Sequence, residues 1–230
     1  MKKKLFLGLL LVLLLLYAPT YKLNLKSDDS KQASSPTQDA APAPPPLQDG
    51  QYKLSLTTSI GTLTYYNQSD VRWANAPYGA SDPIASYGCG PTALAMLVSS
   101  FTEQTMQPPD MAQWAASNHY WVSGSGSKHN LIPEGAAAFG LHAESFRDFT
   151  VEGIKNALES GHVLVALMGP GHFTSEGHFI IITDYWSGSQ VSIADPNSLE
   201  NTQKAWDIQL LIDELHSAAV YGGPVWSISP

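Results

Sequence analysis

Hydrophobic positions divide the chain into three regimes. Leu5 to Ala18 is an apolar run with no charged residue, preceded by Lys2, Lys3 and Lys4. Residues 27 to 50 are rich in Ser, Asp, Gln, Ala and Pro with no apolar period, and include Ala41-Pro42-Ala43-Pro44-Pro45-Pro46. From Gln51 onward, apolar residues recur with the periods of packed helices and strands. This sets boundaries at 1–25 for a basic N-terminus and signal segment, 26–50 for a Pro/Ala/Ser-rich linker without a core, and 51–230 for one folded domain.

Within the domain, Tyr52 to Leu56 and Thr62 to Tyr66 read as short strands joined at Gly61. Ala93, Leu94, Met96 and Leu97 mark a buried helix that begins beside Gly88-Cys89-Gly90-Pro91. The two glycines permit a tight turn and leave room for a close approach, and Pro91 suits a first helical turn. Helices are also predicted over Pro109 to Ala116, Pro133 to Phe139 and Val151 to Ser160, the last closed by Gly161. Gly124 to Ser127 reads as a flexible loop. Leu141 to Phe146 alternates as a strand. His162 to Met168 and His178 to Thr183 are buried strands, and Ser187-Gly188-Ser189 turns the second into a hairpin with Val191 to Asn197. Trp206 to Ser217 reads as a last helix and Val220 to Ile228 as a closing strand. Helices mainly early and antiparallel strands later make this α+β rather than alternating βαβ.

Charge narrows the functional classes. Residues 1–50 hold six Lys and four Asp, while 51–230 hold six basic and sixteen acidic residues, for a net −10 in the domain and −8 overall. An acidic domain without a basic stripe argues against nucleic acid and against docking on anionic lipid. The basic start and apolar run form an export signal. The run is short for a span, and extending it through Tyr21 makes it marginal. Leu16-Tyr17-Ala18 meets Pro19, which makes a poor cleavage site. An uncleaved anchor with the domain outside is therefore expected over a removed signal peptide, with secretion as the alternative.

Cys89 is the only cysteine among 230 residues. In an exported chain an unpaired cysteine stands out as a reactive thiol. At a helix N-terminus, free N–H groups and the helix dipole favour the thiolate. A small buried cysteine filling the core is the plain alternative. A nucleophile needs a base and the base an orienter. His178 opens one strand of the hairpin and Asp195 ends its partner, which makes them neighbours. His172 is the rival base, without an evident acidic orienter. His129 is either a substrate contact or a solvated loop histidine, and a His172/His178/Asp195 metal site is a minor option. Gln68 upstream could join the Cys89 N–H as an oxyanion donor. Asn67-Gln68-Ser69 also matches a glycosylation sequon.

Tyr66-Asn67-Gln68-Ser69-Asp70-Val71-Arg72-Trp73, Tyr87-Gly88-Cys89-Gly90-Pro91-Thr92, Gly177-His178-Phe179-Ile180 and Asp195-Pro196-Asn197-Ser198 together resemble the cysteine peptidase family thirty-nine-like domains, over about residues 60–200. The resemblance implies a papain-like fold, with a helical part carrying Cys89 packed on an antiparallel sheet carrying His178 and Asp195. It implies Cys89 as nucleophile, His178 as base, Asp195 as orienter and Gln68 as oxyanion donor. No cofactor or metal is implied, and the partner is a peptide or protein substrate, cell-envelope material included. Members fused to an export transporter cut leader peptides after Gly-Gly. This sequence carries no G-x-x-x-x-G-K phosphate loop, so that substrate does not carry over. Two competing readings are a cell-wall endopeptidase or amidase of NlpC type and a non-catalytic surface binding module on the same fold.

Overall fold

The computed structural model describes residues 49–230, and the expected signal segment and almost all of the linker lie outside the described residues. In chain order the elements begin with strands β1 (Leu54–Thr58), β2 (Gly61–Tyr65), β3 (Pro77–Tyr78) and β4 (Asp82–Pro83). Helices α1 (Ile84–Tyr87), α2 (Cys89–Phe101) and α3 (Pro108–Ser117) follow. A short hairpin of β5 (Trp121–Val122) and β6 (Gly126–Ser127) leads to α4 (Leu131–Ala138), β7 (His142–Ser145) and α5 (Val151–Glu159). The second half holds β8 (Val163–Met168), β9 (His178–Tyr185), β10 (Gln190–Ala194), α6 (Leu199–Thr202), β11 (Trp206–Asp207), α7 (Ile208–Asp213) and β12 (Val225–Ser229).

Six strands form one antiparallel sheet in the order β11-β10-β9-β8-β12-β7. β12, last in sequence, pairs between β8 and β7. Alternation along β8 explains why both faces are covered. Val163, Val165 and Leu167 point to one core with α2, while Leu164, Ala166 and Met168 point to another with Ile154, Leu158, Ile208 and Leu211. The observed class is thus mixed helix and antiparallel sheet.

Helix α2 is the centre of the first core. Gly90 through Val98 are all buried, so the helix is apolar all round rather than amphipathic. What approaches Gly90 is the chain itself: a Cβ there would stand 2.6 Å from Ser127 Oγ and 3.0 Å from Leu131 Cδ2. The Gly124 to Ser127 stretch, expected as a flexible loop, is tied down. Gly124 N–H and Trp121 Nε1–H both donate to Asp82 Oδ2, at 2.7 and 2.9 Å, and Gly126 is buried.

The last predicted helix is shorter than its apolar pattern. Trp206 and Asp207 pair with Val191 and Gln190 as a strand, and the Asp207 carboxylate then caps α7 by accepting from Gln209 and Leu210 N–H. After Asp213 the backbone leaves the helix to pair with the end of β8: Gly169 N–H donates to the Glu214 carbonyl, and His216 N–H to that of Leu167. The closing strand begins at Val225, because Gly222 lies at φ +84° and Pro224 follows.

Candidate functional site

The site is built where the start of α2 meets the start of β9. Gly88, the N-cap residue, gives its N–H to the Ile84 carbonyl, which closes α1 and sets Cys89 as the first residue of α2. The Cys89 side chain is half-buried and has no disulfide. Its sulfur is hydrogen-bonded to the His178 ring and to the backbone N–H groups of Phe179 and Gly90. Burial works to raise its pKa, but the bond and charge of His178 and the two N–H groups outweigh it and hold the thiol below its usual range.

His178 Nε2 lies 2.7 Å from Asp195 Oδ1, with both residues buried. That leaves Nδ1 as the ring nitrogen for the thiol. Burial opposes charging of the ring, yet the hydrogen bonds to Asp195 and Cys89 and their charges carry its pKa up to about 10. The Asp195 carboxyl is pushed up by burial and down, more strongly, by His178, Asn201 and Asn197; the net shift is downward. The pair does not sit on directly opposed positions. A register shift between Ser192 and Ile193 leaves Ala194 opposite Ile181, and the chain turns away at Asp195. The carboxylate reaches back to His178 from that turn.

Residues outside the expected set hold Asp195. Its Oδ2 accepts from Asn201 Nδ2 at 2.8 Å, its Oδ1 also accepts from Asn197 N–H at 2.8 Å, and its own N–H donates to Thr202 Oγ1. Its carbonyl accepts from Tyr65 OH at 2.8 Å. Asn201 and Thr202 belong to α6, whose first turn is capped by Ser198 Oγ. The Ser198-x-x-Asn201 spacing is a cap signal readable in the sequence; the reach back to Asp195 is not.

Gln68 is buried, and its Nε2 donates to the Ala85 carbonyl at 2.7 Å, four residues before Cys89. Its Oε1 is buried without a partner among the described residues. Its N–H donates to the Pro196 carbonyl at 2.7 Å, so the loop carrying it is fixed to the Asp195 turn. Neighbouring Asn67 is a structural residue. Its Nδ2 donates to Tyr65 OH, its Oδ1 accepts from Ser69 N–H, and only 1% of it is exposed, which leaves no room for a glycan.

The remaining histidines differ from expectation. His172 has an acidic partner after all: Nδ1 is 2.5 Å from Glu214 Oε1, on an exposed loop. His129 is half-buried rather than solvated, set edge-on against Phe179. Among the described residues no group of three or more His, Cys, Asp or Glu is arranged to hold a metal ion. Nor is any described helix long and apolar enough to cross a membrane.

Among solved structures, a candidate C39-like peptidase from Bacillus anthracis is similar at 13% identity and a TM-score of 0.46, covering 77% of this chain and 98% of that one. No curated protein matches this chain. The model of the Peptidase C39 like family matches residues 60–222, well over half of the 230 residues. Its span includes Gln68, Cys89, His178 and Asp195, and the chain belongs to that family.

Proposed function

We propose that this chain is a cysteine peptidase of papain-like fold that hydrolyses peptide bonds with Cys89, His178, Asp195 and Gln68. One observation carries the reading: a thiol at the start of a buried helix shares a hydrogen bond with an imidazole whose other nitrogen is held by a buried carboxylate. The opposed shifts, thiol down and imidazole up, favour a thiolate–imidazolium pair.

The Cys89 thiolate adds to the amide carbon and the carbonyl oxygen gains the negative charge. As first residue of α2, Cys89 has an N–H with no intrahelical acceptor, which serves that oxygen. Gln68 Nε2 carries two hydrogens, one spent on Ala85, and the second is the other donor. Imidazolium Nδ1–H protonates the leaving amine as the C–N bond breaks. Neutral His178 then takes a proton from water, the hydroxide adds to the thioester carbon, and the thiolate departs as the acid is released. Asp195 keeps the proton on Nε2 and stabilises the charged ring. No cofactor enters these steps.

The basic N-terminus and the apolar run from Leu5 to Ala18 support an exported, membrane-tethered enzyme acting on peptides or proteins outside the cell. The test is peptide hydrolysis and labelling by a thiol-directed acyl analogue, wild type against Cys89→Ala. Loss of both in the variant is expected. Slow alkylation of wild-type Cys89, at the rate of an unperturbed thiol, would overturn the reading.

A further inference from the structure

Two imidazoles outside the Cys89, His178 and Asp195 chain stand on the same flank of it. The rings of His129 and His216 are 5.8 Å apart, centre to centre. His129 comes from the turn before α4 and His216 from the segment that pairs with Leu167 after α7. The His216 ring lies along Gly177, where a Cβ would stand 3.6 Å from Cδ2 and 3.8 Å from Nε2. His129 lies 6.5 Å from the Phe179 ring. Gly177 and Phe179 are the residues on either side of His178, and Phe179 N–H donates to the Cys89 sulfur. The pair therefore borders the two residues that flank His178.

Their hydrogen bonds set their chemistry. Nδ1 of His129 accepts from Val220 N–H, and Nδ1 of His216 from Ala218 N–H, each at 3.2 Å. A ring nitrogen that accepts carries no hydrogen, so each neutral ring holds its proton on Nε2. Neither Nε2 has a partner among the described residues, and both rings are half-buried. Protonation would set an Nδ1–H against each backbone N–H. Burial first, and the neighbouring His216 second, also hold His129 below the usual histidine range. A metal on Nε2 would need the lone pair that these tautomers lack. The site offers two Nε2–H donors, bordered by the apolar Phe179 and the exposed Val220.

We propose that His129 and His216 form a side-chain subsite beside the residues flanking His178 that selects a substrate residue ending in a carboxamide or carboxylate oxygen. The assignment rests on the peptidase reading for the identity of the ligand as a peptide. The domain's net charge of −10 over residues 51–230 disfavours an approaching anion, so glutamine or asparagine is preferred over glutamate or aspartate.

The test uses position-scanned decapeptides carrying Gln, Glu, Leu or Lys at each site. Turnover is measured with the wild type, and binding separately with full-length Cys89→Ala. At one position, Gln is expected to exceed Leu by about tenfold or more in kcat/KM and in affinity, because a site of hydrogen-bond donors rejects an analogue that leaves them unpaired. His129→Leu and His216→Leu should each shrink that ratio, while His129→Gln, which keeps an N–H donor near Nε2, should preserve most of it. Cleavage or binding without any Gln or Glu preference overturns the subsite, as does an unchanged ratio in both Leu variants. Selective binding by Cys89→Ala with no wild-type cleavage sustains the subsite and overturns the peptidase reading. Absence of both cleavage and binding across the panel overturns the two together.

Discussion

The backbone N–H of Gln68 donates to the carbonyl of Pro196 at 2.7 Å, across 128 positions of sequence. The loop that leads toward Cys89 and the turn that presents Asp195 to His178 are thereby one unit. Tyr65 repeats the link one strand end earlier, by donating to the Asp195 carbonyl while accepting from Asn67. The geometry of the candidate site thus depends on contacts between the two halves of the domain.

Reactivity of the thiol should show the paired charges. With the Cys89 pKa lowered and that of His178 raised to about 10, the ion pair exists above the first and below the second. Alkylation of wild-type Cys89 is expected to stay fast at pH 6, well below the ordinary thiol pKa of about 8.5. His178→Ala should slow it at that pH by roughly tenfold or more, since the thiolate loses its hydrogen bond and counter-charge. Peptide hydrolysis should fall on the alkaline side as His178 loses its proton. Equal alkylation rates for the two proteins at pH 6 would refute the pairing.

Replacement of Asp195 separates charge from shape. Asp195→Ala leaves the His178 Nε2–H and the Asn201 amide without their buried acceptor, which costs about 1–3 kcal/mol of stability. Asp195→Asn keeps an oxygen for His178 and should cost less. The pH dependence has a definite sign. The His178 contribution is full below 6.5 and fades as pH rises through about 10, while the Asp195 contribution is full above 3.8 and fades as pH falls through its lowered value. Denaturant unfolding at pH 6 and pH 10.5 should therefore show a wild-type advantage over Asp195→Asn that shrinks at the higher pH.

Gln68 is held at a cost to the fold, with one amide oxygen buried and unpaired among the described residues. Gln68→Met, similar in size and apolar, removes both the orphan and the proposed oxyanion donor. Its kcat should fall by about 10²–10³, as for loss of one such donor, with KM nearly unchanged. Steady-state kinetics decide it. A variant with wild-type kcat would assign Gln68 to structure alone.

Tyr65→Phe should destabilise by about 1–3 kcal/mol, because it leaves the Asn67 amide without its buried acceptor and takes the shortest of three donors from the Asp195 carbonyl. The same loosening of the Asp195 turn should lower kcat. Thermal unfolding and activity would be followed together, and a stable variant with normal kcat would contradict the coupling.

Gly90→Ala tests the support of the helix start. Its Cβ would meet Ser127 Oγ at 2.6 Å and Leu131 Cδ2 at 3.0 Å, so the β5–β6 hairpin must shift. A loss of about 1–3 kcal/mol is expected from overpacking. Urea unfolding measures it.

Much of this was legible in the chain. The apolar run of His178 to Thr183 and that of Val191 to Ala194, on either side of Ser187-Gly188-Ser189, state the hairpin, because a short apolar run and a glycine turn are local. The start of α2 is equally local: glycine, proline and an apolar run suffice. The apolar period over Trp206 to Ser217 predicts a longer helix than the observed Ile208–Asp213, since it says nothing of the sheet edge that takes Trp206 and Asp207 or of the Leu167 carbonyl that takes His216 N–H. The His172 to Glu214 contact spans 42 positions between two loops, where no periodicity connects them.

By itself the sequence determined which residue types carry chemistry, the existence and kind of most elements, and the nearness of His178 to Asp195. All of these depend on neighbours in the chain or on one hairpin. The tertiary structure alone decided which histidine meets Cys89, that Asn201, Thr202 and Tyr65 hold the Asp195 turn, and that the His129 and His216 rings stand together against Phe179 and Gly177. Those relations join segments up to 130 positions apart. They follow from how two cores close on the faces of one sheet, which no local pattern encodes.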